Sequence, residues 1–418
     1  MSQTESLPID SILMLVLGTV YVAGVNEALG ALLMLPVASY ILVDGLSRSK
    51  VLKTSLDRLF NLKLALVMLT IFLVVVLPTI SWMVMRQATA PWQHIDDGAI
   101  QTEESIKYLL QGKNPYAEDY LGTPLAEWLH PIEGVEENPA LYHNAYLPFI
   151  YLFCTPFYVA IKHVTGWYDQ RLVYLLLLVC TLWPLMQHAA TPSRKLGLAI
   201  VFGLNFLSAP HTVRGGNDSF VWFWLIMSTY LLQRDKITLS ALSLGLACAS
   251  KQTAWLFVPF FLAYLWIKAP SPGKCVFLRK AYPVLVVPLL VIIPFLLWDA
   301  GAFIEDTYLY LSGQAASSFP IGGFGLGGLL LALGFIKDRT VYFPFIVFQA
   351  VFCLPLLLFL LKRQLFDNTV KRCWLGYGLL FLSFSFFSRF INDSYLGIAV
   401  NALALGYLSE DSQMERWK

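Results

Sequence analysis

The chain has 418 residues, of which 57% are hydrophobic and 15% aromatic, and only 13% carry charge. That is too apolar for a soluble domain, and a net charge of +2 offers no basic surface for nucleic acid. What remains is a polytopic membrane protein, in which apolar runs of about 20 residues cross the hydrocarbon core as helices.

The first ten residues, MSQTESLPID, hold no Lys or Arg ahead of the apolar run, so the positive region of a cleaved signal peptide is missing and an uncleaved first span is expected. Residues 10–47 are broken by Asn26 and Glu27, which predicts a hairpin of two short spans. Arg48, Lys50, Lys53, Arg58 and Lys63 follow, and the positive-inside rule assigns them to the cytoplasm. Residues 1–63 thus read as an N-terminal hairpin with a basic loop, and 64–418 as the main domain. The span at 64–85 then delivers the one long polar interval, 87–140, to the outer side.

That interval is acidic. Asp96, Asp97, Glu103, Glu104, Glu118, Asp119, Glu127, Glu133, Glu136 and Glu137 face only Lys107 and Lys113. Ala99 to Leu110 has the apolar spacing of a helix, ended by Gly112 and Asn114-Pro115, with Asp97 at its start as the natural N-cap. From Leu141 the chain is expected to re-enter the membrane and reach the cytoplasm at Lys162 and His163. Simple alternation then fails: residues 172–190 cannot cross once and leave Arg194 inside, and the short run 326–336 poses the same difficulty. Re-entrant or broken segments are expected there. The basic markers still place RGGNDS (214–219), Ser250-Lys251, the loop 299–324 and SRFINDS (388–394) on the outer side, with about 11 to 13 spans in all and a cytoplasmic C-terminal tail.

The six cysteines lie in or beside apolar runs and form neither a disulfide framework nor a zinc spacing. No internal repeat is visible, which weighs against a transporter built from inverted halves. IGGFGLGG (321–328) reads as a flexible or closely packed turn.

Asp96-Asp97, the block LLQGKNPYAEDY, Tyr146-Leu147-Pro148 and RGGNDS together resemble the GT-C superfamily of integral-membrane glycosyltransferases, and within it the polyprenol-phosphate-mannose-dependent, mannosyltransferase-like branch of bacteria. The resemblance covers residues 64–270 in motif terms. It implies an all-α polytopic membrane protein, a GT-C-like helix bundle with a large extracytoplasmic first catalytic loop. It further implies an inverting transfer of a hexose, mannose first, from a polyprenyl-phosphate sugar to a hydroxyl of a glycolipid or cell-envelope glycan, at the outer face of a bacterial plasma membrane.

Such a transfer needs a base, a cation for the departing phosphate and a groove for lipid. Following the family pattern, Asp97 is expected as the base and Asp96 second, with one of the two facing the cavity because they are adjacent. Lys251, Arg214 and Arg389 are the expected phosphate cations, since an unpaired cation beside apolar spans is costly and suggests a role. Asn217 and Asp218 are expected either on sugar hydroxyls or as a helix cap, Tyr116 stacked on sugar, and His143 near substrate. The histidines lack metal-ligand spacing and the strict Asp-X-Asp of metal-dependent oligosaccharyltransferases is absent, so no divalent metal is expected. A transporter or flippase for a lipid-linked or hydrophilic substrate is the alternative, and a non-catalytic assembly subunit the third; the first would favour charges in mid-span, the second a dispensable Asp pair.

Overall fold

A computed structural model describes residues 8–49, 51, 55–128, 137–269 and 273–410. Lys50, Lys53, His130, Glu133 and Glu136 lie outside the described residues. The protein is an all-α polytopic membrane protein whose helices are α1 (Ile9–Ala23), α2 (Glu27–Arg48), α3 (Leu56–Ala88), α4 (Asp97–Leu110), α5 (Phe149–Thr165), α6 (Arg171–Met186), α7 (Pro192–Leu204), α8 (Ala209–Arg214), α9 (Asp218–Leu232), α10 (Ile237–Cys248), α11 (Val258–Lys268) and α12 (Pro283–Trp298). An irregular α13 at 300–312 follows, then α14 (Leu326–Ala332), α15 (Phe345–Phe366), α16 (Val370–Phe386) and α17 (Asp393–Leu408). By length and composition α2, α3 and α15 are each long and apolar enough to cross a membrane.

Local chemistry sets several of these boundaries. Asn26 starts α2 by accepting the Leu29 amide at 3.0 Å, and Ser55 caps α3 through the Arg58 amide at 3.4 Å. α3 runs 33 residues, about 50 Å at 1.5 Å per residue, so it stands proud of a core about 30 Å thick. It stays continuous past Pro78 by widening to a π-turn over Phe72–Val76, just before the residue whose ring lacks an amide donor.

Polar contacts sort the helix ends into two sides. On the first, Lys63 Nζ lies 2.5 Å from Asp10 and 2.8 Å from Asp44, Tyr40 Oη donates to Asp10 at 2.5 Å, and Ser193 donates to Asp10 as well. This buried cluster ties α1, α2, α3 and α7 together, so the N-terminal hairpin is clamped to the main bundle rather than appended to it. The pairs Arg194–Glu410 and Lys268–Asp235 belong to the same side. On the second side, the Asp96 amide donates to the Arg214 carbonyl at 2.7 Å, the Leu147 amide to Ser250 at 3.2 Å, and Gln252 Nε2 to Thr307 at 3.1 Å.

This sorting corrects the expected path of α5. Its N-terminus is tied to Ala249 by the Phe149 amide at 3.1 Å. The residues just beyond its C-terminus, Asp169 to Arg171, bond to Arg86, Glu103 and the His94 carbonyl, all on that same side. α5 therefore begins and ends on the second side, and Lys162 and His163 do not reach the first. The crossing falls to α6, which resolves the difficulty at 172–190: α6 passes once and leaves Arg194 on the basic side. Residues 326–336 do not cross either. Two-residue strands β1 (Gly322–Gly323) and β2 (Phe390–Ile391) pair in parallel and pin that segment to the second side. A Cβ on Gly323 would stand 1.7 Å from the Ile391 carbonyl oxygen, so IGGFGLGG is a close-packed clamp, not a flexible turn.

Candidate active site

On the second side a cavity of about 560 Å³ lies between the start of α4, the turn ahead of α9, the segment after α10, α13 and the start of α15. Asp96, Asp97, Arg214, Asn217, Asp218, Lys251 and Arg389 all line it, although they come from distant parts of the chain. Tyr116 and His143 do not. Tyr116 is buried among aromatic rings and donates its hydroxyl to the Tyr146 carbonyl at 2.7 Å. His143 is buried with Nδ1 2.9 Å from Asp306 Oδ1, behind Tyr310, whose ring lies 4.7 Å from the imidazole.

The acid pair is arranged differently from expectation. Asp96, not Asp97, occupies the N-cap of α4, with extended backbone and its Oδ1 accepting the Gly98 amide at 3.2 Å. Asp97 is the first helical residue; its Oδ1 accepts the same amide at 2.8 Å and its Oδ2 accepts Asn138 Nδ2 at 3.2 Å. One residue is extended and the next helical, and that change of backbone conformation lets adjacent side chains share a direction. Both carboxyls consequently face the cavity, where one was expected to. Burial and the Asp97 charge beside it push the Asp96 carboxyl up to about 7, the value that suits a general base at neutral pH.

Gly98 follows directly, and a Cβ there would stand 2.3 Å from Tyr146 Oη. Only a residue without a side chain admits the tyrosine ring against the first turn of α4.

A buried charge network holds this turn from behind. Arg86 Nη1 and Nη2 donate to Glu103 at 2.9 and 2.8 Å, and Nη1 also donates to Asp169 at 2.9 Å. Arg171, fully buried, grips Asp169 through Nε at 2.8 Å and Nη2 at 2.7 Å, and its Nη1 donates to the His94 carbonyl at 2.5 Å. Two arginines thus face two carboxylates, so none of the four charges is left uncompensated in a dry interior. The chain at His94 is turned through positive φ, +59°, to present that carbonyl.

The three expected cations differ in what they have left to offer. Lys251 Nζ lies 2.7 Å from Asp218 and 2.9 Å from Asn217 Oδ1. Burial disfavours its charge, and the Asp218 carboxylate more than offsets that, holding the ammonium above the usual lysine value. Arg389 spends its fork on backbone: it donates to the carbonyls of Val341 at 2.8 Å, Thr340 at 3.0 Å and Arg339 at 3.1 Å, and also to Phe319. It braces the 319–341 segment over the cavity. Arg214 is exposed to the cavity, and among the described residues its guanidinium has no ion-pair or hydrogen-bond partner. Asn217 and Asp218 do not cap α9 with their side chains; both are turned to Lys251.

Sequence reasoning missed Arg86, Glu103, Asp169 and Arg171 as site supports, and it did not single out His211. The Asp169–Arg171 pair carried a signal, since opposite charges flanked by apolar runs in a membrane protein are costly unless bonded. His211 lines the cavity and bonds through Nε2 to Asp393 at 2.7 Å, joining the start of α17 to α8. Nothing in the local sequence pairs residues so far apart.

Among known proteins, the chain is similar to GPI mannosyltransferase 1 of Kluyveromyces lactis, at 22% identity over 311 residues that cover 73% of this chain and 71% of that protein. No family model matches the chain. No solved structure matches it.

Proposed function

We propose that this chain is a membrane mannosyltransferase that moves mannose from a polyprenyl-phosphate sugar to a hydroxyl of a glycolipid or cell-envelope glycan, with the Asp96–Asp97 pair as general base. The observation that carries the proposal is that both carboxyls and Arg214, which has no partner among the described residues, face one cavity. The distant similarity to a protein named for mannosyl transfer supports the sugar and the class of reaction.

The step runs as follows. The acceptor oxygen attacks the anomeric carbon, its proton passes to Asp96, the bond from that carbon to the phosphate oxygen breaks, and the electron pair leaves with the polyprenyl phosphate. Attack opposite the leaving group inverts the anomeric centre. Asp97 supports Asp96: its charge raises the proton affinity of its neighbour, and Asn138 fixes its own position. A cation in the cavity balances the charge that develops on the phosphate, so the reaction requires no divalent metal.

The outer face is supported by the charge distribution. Arg48, Lys63, Arg194 and Lys268 lie on the side opposite the cavity, and such residues favour the cytoplasm. A lipid-linked donor suits an outward cavity, which has no supply of cytoplasmic nucleotide sugars. Purified protein given labelled polyprenyl-phosphate mannose and a glycolipid extract tests the proposal: mannosylated product that needs Asp96 supports it, and its absence across a panel of donors and acceptors sinks it.

A further inference from the structure

Besides the two carboxyls the cavity wall carries an imidazole held by a third one, and we infer that the His211–Asp393 pair takes the proton off Asp96 after each transfer and passes it out of the cavity. This rests on the proposed transfer and adds the step that returns the base to its starting form.

α8 sets His211 beside the acid pair. The His211 carbonyl accepts the Gly215 amide at 2.9 Å and the Gly216 amide at 2.7 Å, so the chain folds back on His211 at the end of the helix. Gly215 takes φ +105° to make that turn, and a Cβ on Gly216 would crowd the His211 carbonyl oxygen at 3.1 Å. Arg214 stands three residues on, hence on the same face, and its carbonyl accepts the Asp96 amide at 2.7 Å. One short helix thus carries the imidazole and anchors the backbone of the base. His211 and Asp96 line the same cavity, and the His211 charge acts on the Asp96 carboxyl, against the upward push of burial and of Asp97.

The imidazole is oriented for the task. Its Nε2 lies 2.7 Å from Asp393 Oδ1. A carboxylate only accepts, so the neutral ring keeps its hydrogen on Nε2 and leaves the Nδ1 lone pair open. Among the described residues Nδ1 has no hydrogen-bond partner. Asp393 is not part of the cavity wall, and its side chain is 45% exposed against 15% for His211. The pair therefore leads from the cavity to water. The other charged groups around His211 are engaged or already cationic: Asp218 is held by Lys251 at 2.7 Å, Asp97 by the Gly98 amide and Asn138, and Arg214 is a guanidinium.

During transfer the acceptor's proton moves to Asp96. With a lipid-linked donor and an acceptor filling the cavity, that carboxyl is screened from bulk water. The proton then passes to His211 Nδ1, directly or along one water, and gives an imidazolium paired with Asp393. The imidazolium releases a proton to water beside Asp393, exchange on the ring returns the hydrogen to Nε2, and Asp96 is again an ionised base. Over the cycle the protein gains and loses no proton.

The test separates the first turnover from later ones by rapid quenching, with purified full-length protein, labelled polyprenyl-phosphate mannose and saturating acceptor. His211→Gln keeps an amide donor for Asp393 but cannot carry a proton. It is expected to complete its first turnover near the wild-type rate and later ones about tenfold or more slower, so its burst stands out against the steady state more than that of wild type. Asp393→Asn slows the later turnovers too, by less. His211→Ala is expected to regain steady-state rate with added imidazole but not with pyrazole, a ring of the same size and far weaker basicity.

An unchanged steady state in His211→Gln, an equal slowing of its first and later turnovers, or equal effects of imidazole and pyrazole on His211→Ala would each overturn the relay. Product that requires Asp96 yet ignores His211 removes the relay and leaves the transfer standing, whereas no product from wild type removes the transfer and the relay with it.

Discussion

Arg171 donates to the carbonyl oxygen of His94 at 2.5 Å, two residues ahead of Asp96, and the same nitrogen reaches the carbonyl of Val213, one residue ahead of Arg214, at 3.5 Å. One buried guanidinium thus touches the backbone beside both the proposed base and the proposed phosphate cation. Arg171→Lys keeps a positive charge near Asp169 but cannot reproduce the fork. It should lower kcat by about tenfold or more while leaving the acceptor KM near its wild-type value, since a small misplacement of reacting groups is costly. A fall in stability with no change in kcat would assign Arg171 to folding alone.

The raised Asp96 carboxyl sets a pH dependence. As a base it must be ionised, so the rate should rise with pH through a midpoint near 7 and then level off. Asp97→Asn removes one of the two causes of the shift, burial being the larger, and should move the acidic limb downward in pH. Stability runs the other way. The folded-state value lies above the ordinary 3.8, so this contribution is complete below that value and is lost as the pH rises through about 7. Melting temperatures of wild type and Asp96→Asn across pH 4 to 9, compared as a difference, isolate it.

Gly98 should tolerate no side chain while Tyr146 is in place. Gly98→Ala puts a methyl group 2.3 Å from the tyrosine hydroxyl and should displace the first turn of α4 with loss of transfer. Adding Tyr146→Phe, which deletes the clashing oxygen, should restore part of the rate. No recovery in the double variant would mean that the backbone, not the hydroxyl, sets the requirement.

The charge cluster at the other end of the bundle predicts a stability effect without a catalytic one. Lys63→Met leaves Asp10 without its ammonium partner in a fully buried site, and breaking a buried pair from one end costs about 3–5 kcal/mol. Lys63→Met combined with Asp10→Asn should recover much of that. Thermal unfolding of the two proteins, read beside their transfer rates, separates the clamp of the N-terminal hairpin from the chemistry.

Much of the site was legible because its residues break a strong background. Two adjacent acids in the long polar loop, and RGGNDS between apolar runs, stand out in so apolar a chain, and both reach the cavity. The course of α5 was not legible. Seventeen residues from Phe149 to Thr165 are apolar enough to read as a span, and only pairings such as Arg86–Asp169, 83 residues apart, reveal that both ends stay on one side. The same limit hid the role of Arg389, whose partners are carbonyls 48 to 70 residues earlier in the chain. A backbone oxygen carries no signature of residue type. Either acid suits the cap position by residue type alone; the extended backbone of Asp96 decides between them.

The most direct measurement is transfer of labelled mannose from polyprenyl-phosphate mannose to a glycolipid extract, with purified wild type, Asp96→Asn, Asp97→Asn and the double variant side by side. Wild type should form product, Asp96→Asn should lose about a hundredfold or more of the rate, and the double variant should be inactive. Full transfer by the double variant would contradict the account at its centre, because the two carboxyls that face the cavity would then have no part in the reaction.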